Sequence, residues 1–229
     1  MSFATRLLAA LGLLFGACVA QAAIIDTSAQ WNGSSGISPF GHTNTATYGQ
    51  TFVAPETASY LDSWTFFLND MTAGAPVDFS MYVMAWDSNT TRATGDILFA
   101  SDQVSTTNNG GQDGYEAFTF ATGGLVLDAS ASYVAFISTS EWTAQQTGTA
   151  YVASLGAKDG YKDGGFFWLN NGTRTSYWTE RMWRSSSDYG DLVFTAQFSA
   201  FAAVPEPGVL GLFLIGLLAL LGVRRRINA

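Results

Sequence analysis

The segment DLVFTAQFSA, residues Asp191 to Ala200, carries an apolar side chain at every second position from its second residue to its eighth. Side chains of an extended chain alternate between its two faces, so these apolar residues fall on one face and the polar residues fall on the other. The pattern predicts a strand of an antiparallel sheet with one buried and one solvated face. The buried set is Leu192, Phe194, Ala196 and Phe198.

Nine further short runs share this character, being rich in Thr, Val and aromatic residues and separated by clusters of Gly, Asn, Asp and Ser. About ten short strands with turn signals between them predict an all-β fold, an antiparallel β-sandwich. The nine runs are Ala46 to Ala54, Tyr60 to Leu68, Val77 to Trp86, Asp96 to Ser101, Tyr115 to Phe120, Leu125 to Asp128, Ser132 to Ser138, Thr149 to Ser154 and Gly165 to Asn170.

The strand-rich region extends over residues 23–203 without a Pro-rich or low-complexity linker, which predicts one domain. A jelly roll is the preferred subtype, because it accommodates eight or more strands in one double sheet. An immunoglobulin-like sandwich is the alternative, although the region is long for that fold.

The N-terminus predicts a secretory signal peptide of residues 1–22. Met1 to Arg6 carries one positive charge, Leu7 to Ala20 is apolar, and Ala20 and Ala22 place small residues before a cut after Ala22. A lipoprotein signal ending at Cys18 is the competing interpretation. Cys18 is the only cysteine, so cleavage after Ala22 would leave a mature chain that cannot form a disulfide.

The charge of the predicted exported region is strongly negative. Residues 23–203 contain 17 acidic and 6 basic side chains, a net charge of −11. Nucleic acid is a poor partner for such a surface, because phosphate binding needs clustered Lys and Arg. An acidic, lysine-poor surface instead suits a protein that must remain soluble outside the cell.

The C-terminal segment predicts a membrane anchor. Gly208 to Val223 contains sixteen residues without a charged, polar or Pro side chain, which as a helix would span about 24 Å. The hydrocarbon core of a bilayer is about 30 Å thick, so a transmembrane helix of residues 208–223 is short but sufficient. Arg224, Arg225 and Arg226 follow at once and predict a cytoplasmic C-terminus by the positive-inside rule.

Val204, Pro205, Glu206 and Pro207, followed by this apolar run and the arginine cluster, resemble the PEP-CTERM sorting signal of Gram-negative bacteria. The resemblance covers residues 204–229. It implies export, temporary membrane anchoring, processing near the two prolines by an exosortase, and delivery to the cell surface or extracellular matrix. It also implies a link to exopolysaccharide and biofilm, but it implies no particular activity for the exported domain.

Catalytic residues are hard to find in the sequence, and we expect the protein not to be an enzyme. His42 is the sole histidine, whereas Ser/His/acid and Cys/His catalytic sets depend on a histidine. A glycoside hydrolase needs only two facing carboxyl groups, so it remains a less favoured alternative. Its candidate glutamates are Glu56, Glu116, Glu141 and Glu180.

No cofactor and no transition-metal site are predicted, because zinc sites usually draw on more than one His or Cys. Ca2+ is the one ion that the composition permits, since several acidic and amide side chains lie in turn-like segments. Turn formation by Asp-Gly pairs explains the same residues without a metal. The residues are Asp87, Asn89, Asp102, Asp113, Asp159 and Asp163.

An aromatic cluster between Phe166 and Trp183 is the remaining candidate site. Sugars present apolar C–H faces rimmed by hydroxyls, so a flat ring flanked by polar groups can bind them. The same rings can instead fill the core of a sandwich, and both interpretations stay open from the sequence. The candidate residues for a carbohydrate-binding module are Trp168, Tyr177, Trp178 and Trp183.

Overall fold

The computed structural model describes residues 22–41, 45–107, 109–142 and 148–200. The predicted anchor, its sorting motif and arginine cluster, nearly all of the predicted signal peptide, and His42 lie outside these ranges. Within them, no helix is long and apolar enough to cross a membrane.

The described residues form twelve strands, one short α-helix and one 3₁₀ turn. The helix, α1, is Tyr177–Glu180, and the 3₁₀ turn is Ser28–Gln30. The strands are β1 (Ala22–Asp26), β2 (Gly36–Phe40), β3 (Thr47–Val53), β4 (Tyr60–Asp70), β5 (Asp78–Asp87), β6 (Arg92–Ala100), β7 (Val104–Ser105), β8 (Glu116–Val126), β9 (Ser132–Ser138), β10 (Ala150–Ala153), β11 (Phe166–Leu169) and β12 (Phe194–Ser199).

The strands form two antiparallel sheets that enclose the main core. In the first sheet the order is β1-β12-β4-β10-β2, and β8 also pairs with β4. In the second sheet the order is β11-β3-β9-β5-β6, and β7 also pairs with β5. The predicted antiparallel β-sandwich is therefore confirmed.

The alternating apolar residues of the segment Asp191 to Ala200 face the core, as predicted. Leu192, Phe194, Ala196 and Phe198 are all 0–1% exposed. Phe194 pairs with Phe66 of β4, and its ring stacks on Trp64 with the centroids 4.6 Å apart and the planes 3° from parallel. Full burial of one such side chain contributes about 1.5–3 kcal/mol, so these residues hold β12 firmly against the core.

Three details of the strand predictions were wrong. The runs Tyr115 to Phe120 and Leu125 to Asp128 belong to one strand, β8, because Gly123 and Gly124 take positive φ angles of 70° and 76° and form an irregularity rather than a turn. β6 begins at Arg92, four residues before the predicted start. β1, β2 and β7 were not predicted, since they are short and carry few alternating apolar residues.

The second sheet is covered on both faces. Its inner face contributes to the main core, while its outer face packs against a segment, residues 171–185, that contains α1. This double burial explains why β5 and β9 have nearly continuous buried runs instead of alternation. The outer cluster consists of Tyr82, Met84, Trp86, Ala93, Val134, Phe136, Leu169, Trp178 and Trp183.

Candidate functional site

A groove of about 420 Å³ lies at the edge of the second sheet, beside β11. Two loops form its walls, residues 159–165 and residues 185–191. Its apolar lining consists of Phe52, Trp86, Phe166 and Phe167, and its polar lining includes Ser88, Ser132, Asp159, Asp163, Ser185, Ser186, Ser187 and Asp191. The groove thus combines aromatic rings with hydroxyl and carboxylate groups.

Trp86 and Phe167 form the aromatic part of the groove on the outer side of the sheet. Their ring centroids are 4.7 Å apart and the ring planes meet at 49°. Trp86 packs edge-on against Trp183 behind it, with centroids 5.7 Å apart, and is 9% exposed. Phe167 is partly exposed. Trp183 therefore supports Trp86, and the partly exposed Phe167 packs on Trp86 at the groove surface.

Asp191 fixes the loop of residues 159–165 to the sheet. Its Oδ1 accepts a hydrogen bond from Gln50 Nε2 at 2.8 Å, and its Oδ2 accepts one from each of the amides of Gly160 and Tyr161, also at 2.8 Å. Gln50 Oε1 in turn accepts from the Leu192 amide at 2.9 Å. The two oxygens of this buried carboxylate therefore connect the backbone of the loop, residues 159–165, to β3.

The electrostatics of Asp191 suit an anchor better than a catalytic acid. Burial raises the pKa of its carboxyl group, and the hydrogen bonds from Tyr161, Gln50 and Gly160 oppose that shift. A protonated carboxyl would need an acceptor, whereas every group that bonds these oxygens is an N–H donor. The carboxylate form therefore matches its surroundings.

The other two acids of the groove lie on its exposed rim. Asp159 forms an ion pair with Lys162, with Oδ2 and Nζ 2.8 Å apart. Such an exposed pair contributes little to stability, about 0–1 kcal/mol. Asp163 is exposed on the rim of the groove, where its carboxylate can accept a hydrogen bond from a ligand hydroxyl.

Several of the side chains proposed from the sequence as Ca2+ ligands instead accept hydrogen bonds within turns. Asp87 accepts from the Asn89 amide and from Thr90 Oγ1, which lower the pKa of its carboxyl group, the Thr90 bond most of all. Asp113 Oδ2 accepts from Asn109 Nδ2 at 3.0 Å. No group of three or more His, Cys, Asp or Glu side chains that could hold a metal occurs in the described ranges.

Trp178 and Trp183 are core residues, which corrects their assignment as candidate carbohydrate-binding side chains. They are 2% and 1% exposed. Trp178 Nε1 donates to Thr47 Oγ1 at 3.2 Å, and Trp183 Nε1 donates to the Trp178 carbonyl at 2.9 Å. With their rings buried against Phe136 and their N–H groups paired internally, neither can present a face to a ligand.

Trp168 and Tyr177 are more accessible but stand apart from each other. Trp168 stacks on Phe166, with centroids 5.6 Å apart, and lines a small pocket of about 110 Å³ with Tyr189. Tyr177 lies on α1, and the guanidinium groups of Arg174 and Arg181 are 5.1 and 4.4 Å from its ring centroid. Hydrogen bonds from these arginines, Arg174 first, lower the pKa of the Tyr177 hydroxyl.

Sequence reasoning missed the groove because its parts come from distant segments. Trp86 appeared only as the end of a strand, and Phe167 only as one member of the aromatic cluster. The one usable signal was the apolar outer face of β5 and β9, which implies that a further segment must cover the second sheet. The sequence did not indicate which segment covers the sheet, or that this segment leaves one edge of the sheet open.

Fold and groove together define an antiparallel β-sandwich protein with an aromatic and acidic groove at one sheet edge. No protein-family model matches the chain, and no curated protein matches it. Among solved structures, the crystal structure of the cysteine protease and lectin-like domains of Cwp84, a surface layer associated protein of Clostridium difficile, is similar with a TM-score of 0.39 and 13% sequence identity. The alignment covers 68% of this chain and 32% of that one, so the chain spans about a third of its length.

Proposed function

We propose that the chain is an exported β-sandwich protein that binds carbohydrate at the cell surface or in the extracellular matrix. Residues 204–229 would act as its sorting signal, with an exosortase as processing partner and the membrane as temporary anchor. The matrix exopolysaccharide would be its ligand. The single observation that carries the binding proposal is the groove, which joins an aromatic surface to a polar rim.

The chemistry of the groove fits a sugar. An apolar C–H face of a pyranose can rest on Phe167 and the accessible edge of Trp86, while its hydroxyls reach the serines of residues 185–187 and the carboxylate of Asp163. The volume of about 420 Å³ falls in the range of about 300–1,000 Å³ typical of small-ligand sites. The acidic rim and the net charge of −11 over residues 23–203 favour a neutral polysaccharide over an anionic one.

The strand order supports a jelly-roll arrangement for this domain. Without the short strands β2, β7, β10 and β11, eight strands remain. Numbered one to eight along the chain, they have the orders 1-8-3-6 and 2-7-4-5 in the two sheets, which is the order of an eight-stranded jelly roll. Lectin domains are among the proteins that use this architecture, so it is a suitable scaffold for a sugar site, although fold alone defines no ligand.

Binding rather than hydrolysis is the activity that we propose. Glycoside hydrolysis requires one carboxyl group that donates a proton and a second that acts as base or nucleophile. Asp191 is engaged by three N–H donors, and Asp159 by Lys162. Asp163 alone then remains as an uncommitted acid among the described lining residues.

Retention of the full chain on exopolysaccharide from its own host tests this proposal. We expect Phe167→Ala and Asp163→Asn each to weaken retention by about tenfold or more, which corresponds to about 1.4 kcal/mol per site. Tyr151→Ala and Asp96→Asn are the matched controls, because both residues are exposed and lie away from the groove. A neutral fraction of the polysaccharide should bind better than an anionic one. Unchanged retention in both groove variants would overturn the proposed site.

A further inference from the structure

A second polar site lies at the end of β4, away from the groove. Asn69 and Asp70 are the last two residues of β4, and a loop, residues 109–114, passes directly over them. Gly111 N donates to Asp70 Oδ1 at 3.2 Å and to Asn109 Oδ1 at 2.8 Å. Consecutive residues of a strand usually face opposite ways, yet both side chains at this strand end approach the same loop residue.

Glycine residues allow this close approach. Gly110 and Gly111 have φ angles of +64° and +82°, which L side chains rarely adopt. A Cβ on Gly110 would stand 2.6 Å from the Ala73 amide nitrogen. A Cβ on Gly111 would stand 3.0 Å from Asn69 Oδ1 and 3.1 Å from the Asp70 carbonyl oxygen. The space beside Gly111 is therefore bounded by one side-chain oxygen and one backbone oxygen of the strand end.

Two side-chain oxygens at this strand end lack a hydrogen-bond partner in the described structure. Asp70 is 1% exposed, and its Oδ2 accepts no hydrogen bond in the described structure. Asn69 Oδ1 is likewise buried without a partner there. The one ion pair of the described residues, Lys162 with Asp159, lies elsewhere, so no described Lys or Arg neutralises Asp70.

A buried carboxylate with a free oxygen and no counter-charge is costly, and native structures nearly always pair such groups. A neighbouring amide oxygen cannot help, because both atoms are acceptors. A bound cation is the kind of partner that both of these acceptors lack. Oxygen-only donors of this kind, an Asp, an Asn and nearby carbonyl groups, match the preference of Ca2+ and do not match that of zinc or copper.

We propose that Asp70 and Asn69 bind one Ca2+ ion beneath the loop of residues 109–114. The ion links the end of β4 to that loop through Asp70 Oδ2 and Asn69 Oδ1, and carbonyl groups and water complete its shell. The site is independent of the groove and of the proposed carbohydrate binding. Three or more acidic side chains are not needed, because carbonyl oxygens and water commonly complete the coordination of Ca2+.

The test is Ca2+ binding by the full chain, solubilised in a mild non-ionic detergent and freed of metal with EDTA. Equilibrium dialysis against CaCl2 up to about 10 mM covers the affinities of extracellular Ca2+ modules, about 10⁻⁴–10⁻³ M. We expect one ion per chain, lost in Asp70→Asn and retained in Asp62→Asn, a control on the same strand. Asp163→Asn, in the groove, should also retain the ion.

Thermal unfolding provides a second measurement that separates binding from a purely structural role. Wild type should melt at a higher temperature in Ca2+ than in EDTA, while Asp70→Asn should show no such shift. In EDTA the variant should be at least as stable as wild type, because it lacks the uncompensated charge. Absence of Ca2+ binding by wild type, or unchanged binding by Asp70→Asn, would overturn the proposal. If Asp70→Asn does not fold, Asn69→Ala removes the other proposed side-chain ligand and should weaken Ca2+ binding, and unchanged binding in that variant would overturn the proposal.

Discussion

At the scale of single residues, Trp183 decides how the second sheet is covered. Its ring lies over β3 at Gly49, where an added Cβ would stand 3.0 Å from Trp183 Cζ3 and 2.9 Å from Val134 Cγ2. Glycine at this position leaves the space that the indole ring occupies. Trp183 also packs edge-on against Phe136 of β9 and Trp86 of β5, with centroids 5.3 and 5.7 Å apart, so one residue connects the covering segment to three strands.

Replacing Trp183 by Ala should therefore destabilise the fold rather than remove a ligand contact. We expect a loss of about 3–5 kcal/mol in the free energy of unfolding, the usual cost of truncating a buried Trp. Denaturant unfolding measures it, and Met182→Ala is the control, because Met182 is 70% exposed and should change stability by no more than about 0.5 kcal/mol. A Trp183→Ala protein of normal stability that no longer binds polysaccharide would contradict the burial of this ring.

At the scale of elements, the loop that walls the groove is positioned by β3 through Gln50 and Asp191. The Gly160 and Tyr161 amides have no strand partner, and Asp191 supplies their acceptor. This connection could not be predicted from the sequence, since Gln50 and Asp191 lie 141 positions apart. An isolated Asp in a Gly-rich region is typical of a turn, and only the fold shows that its carboxylate is buried.

Asp191→Ala should loosen that loop while leaving the sandwich folded. The substitution leaves the Gly160 and Tyr161 amides and Gln50 Nε2 without their acceptor, and each unsatisfied buried group costs about 1–3 kcal/mol. Hydrogen exchange at the two amides should speed up, and polysaccharide retention should fall. Asp188→Ala, an exposed change in the neighbouring segment, is the control. Wild-type exchange rates at both amides in Asp191→Ala would show that the loop does not depend on this carboxylate.

At the scale of the whole molecule, local patterns predicted the sheets, but the site needed the tertiary structure. Alternation such as that of Phe194 and Phe198 reports burial directly, because it depends only on the geometry of one strand. The pairing of Phe194 with Phe66 joins strands that are far apart in the sequence, and no local pattern encodes that choice. The groove depends on long-range pairing of the same kind, since Trp86 of β5 and Phe167 of β11 meet only when the second sheet has formed.

The predicted location of the protein follows from the two ends of the chain. β1 begins at Ala22, so cleavage after that residue would leave Ala23–Asp26 to pair with β12. The mature domain would then retain nearly the whole of its edge strand. Export, anchoring and release thus remain compatible with one folded unit between the predicted signal peptide and the sorting segment.

The central claim is that this domain works outside the cell after its C-terminal segment has been processed. The most direct test is the intact mass of the protein recovered from the membrane and from the medium of its native host. We predict a released species that begins near Ala23 and ends between Val204 and Pro207. A membrane species that still carries Arg224 to Arg226, with nothing released, would contradict the claim and make the segment a permanent anchor.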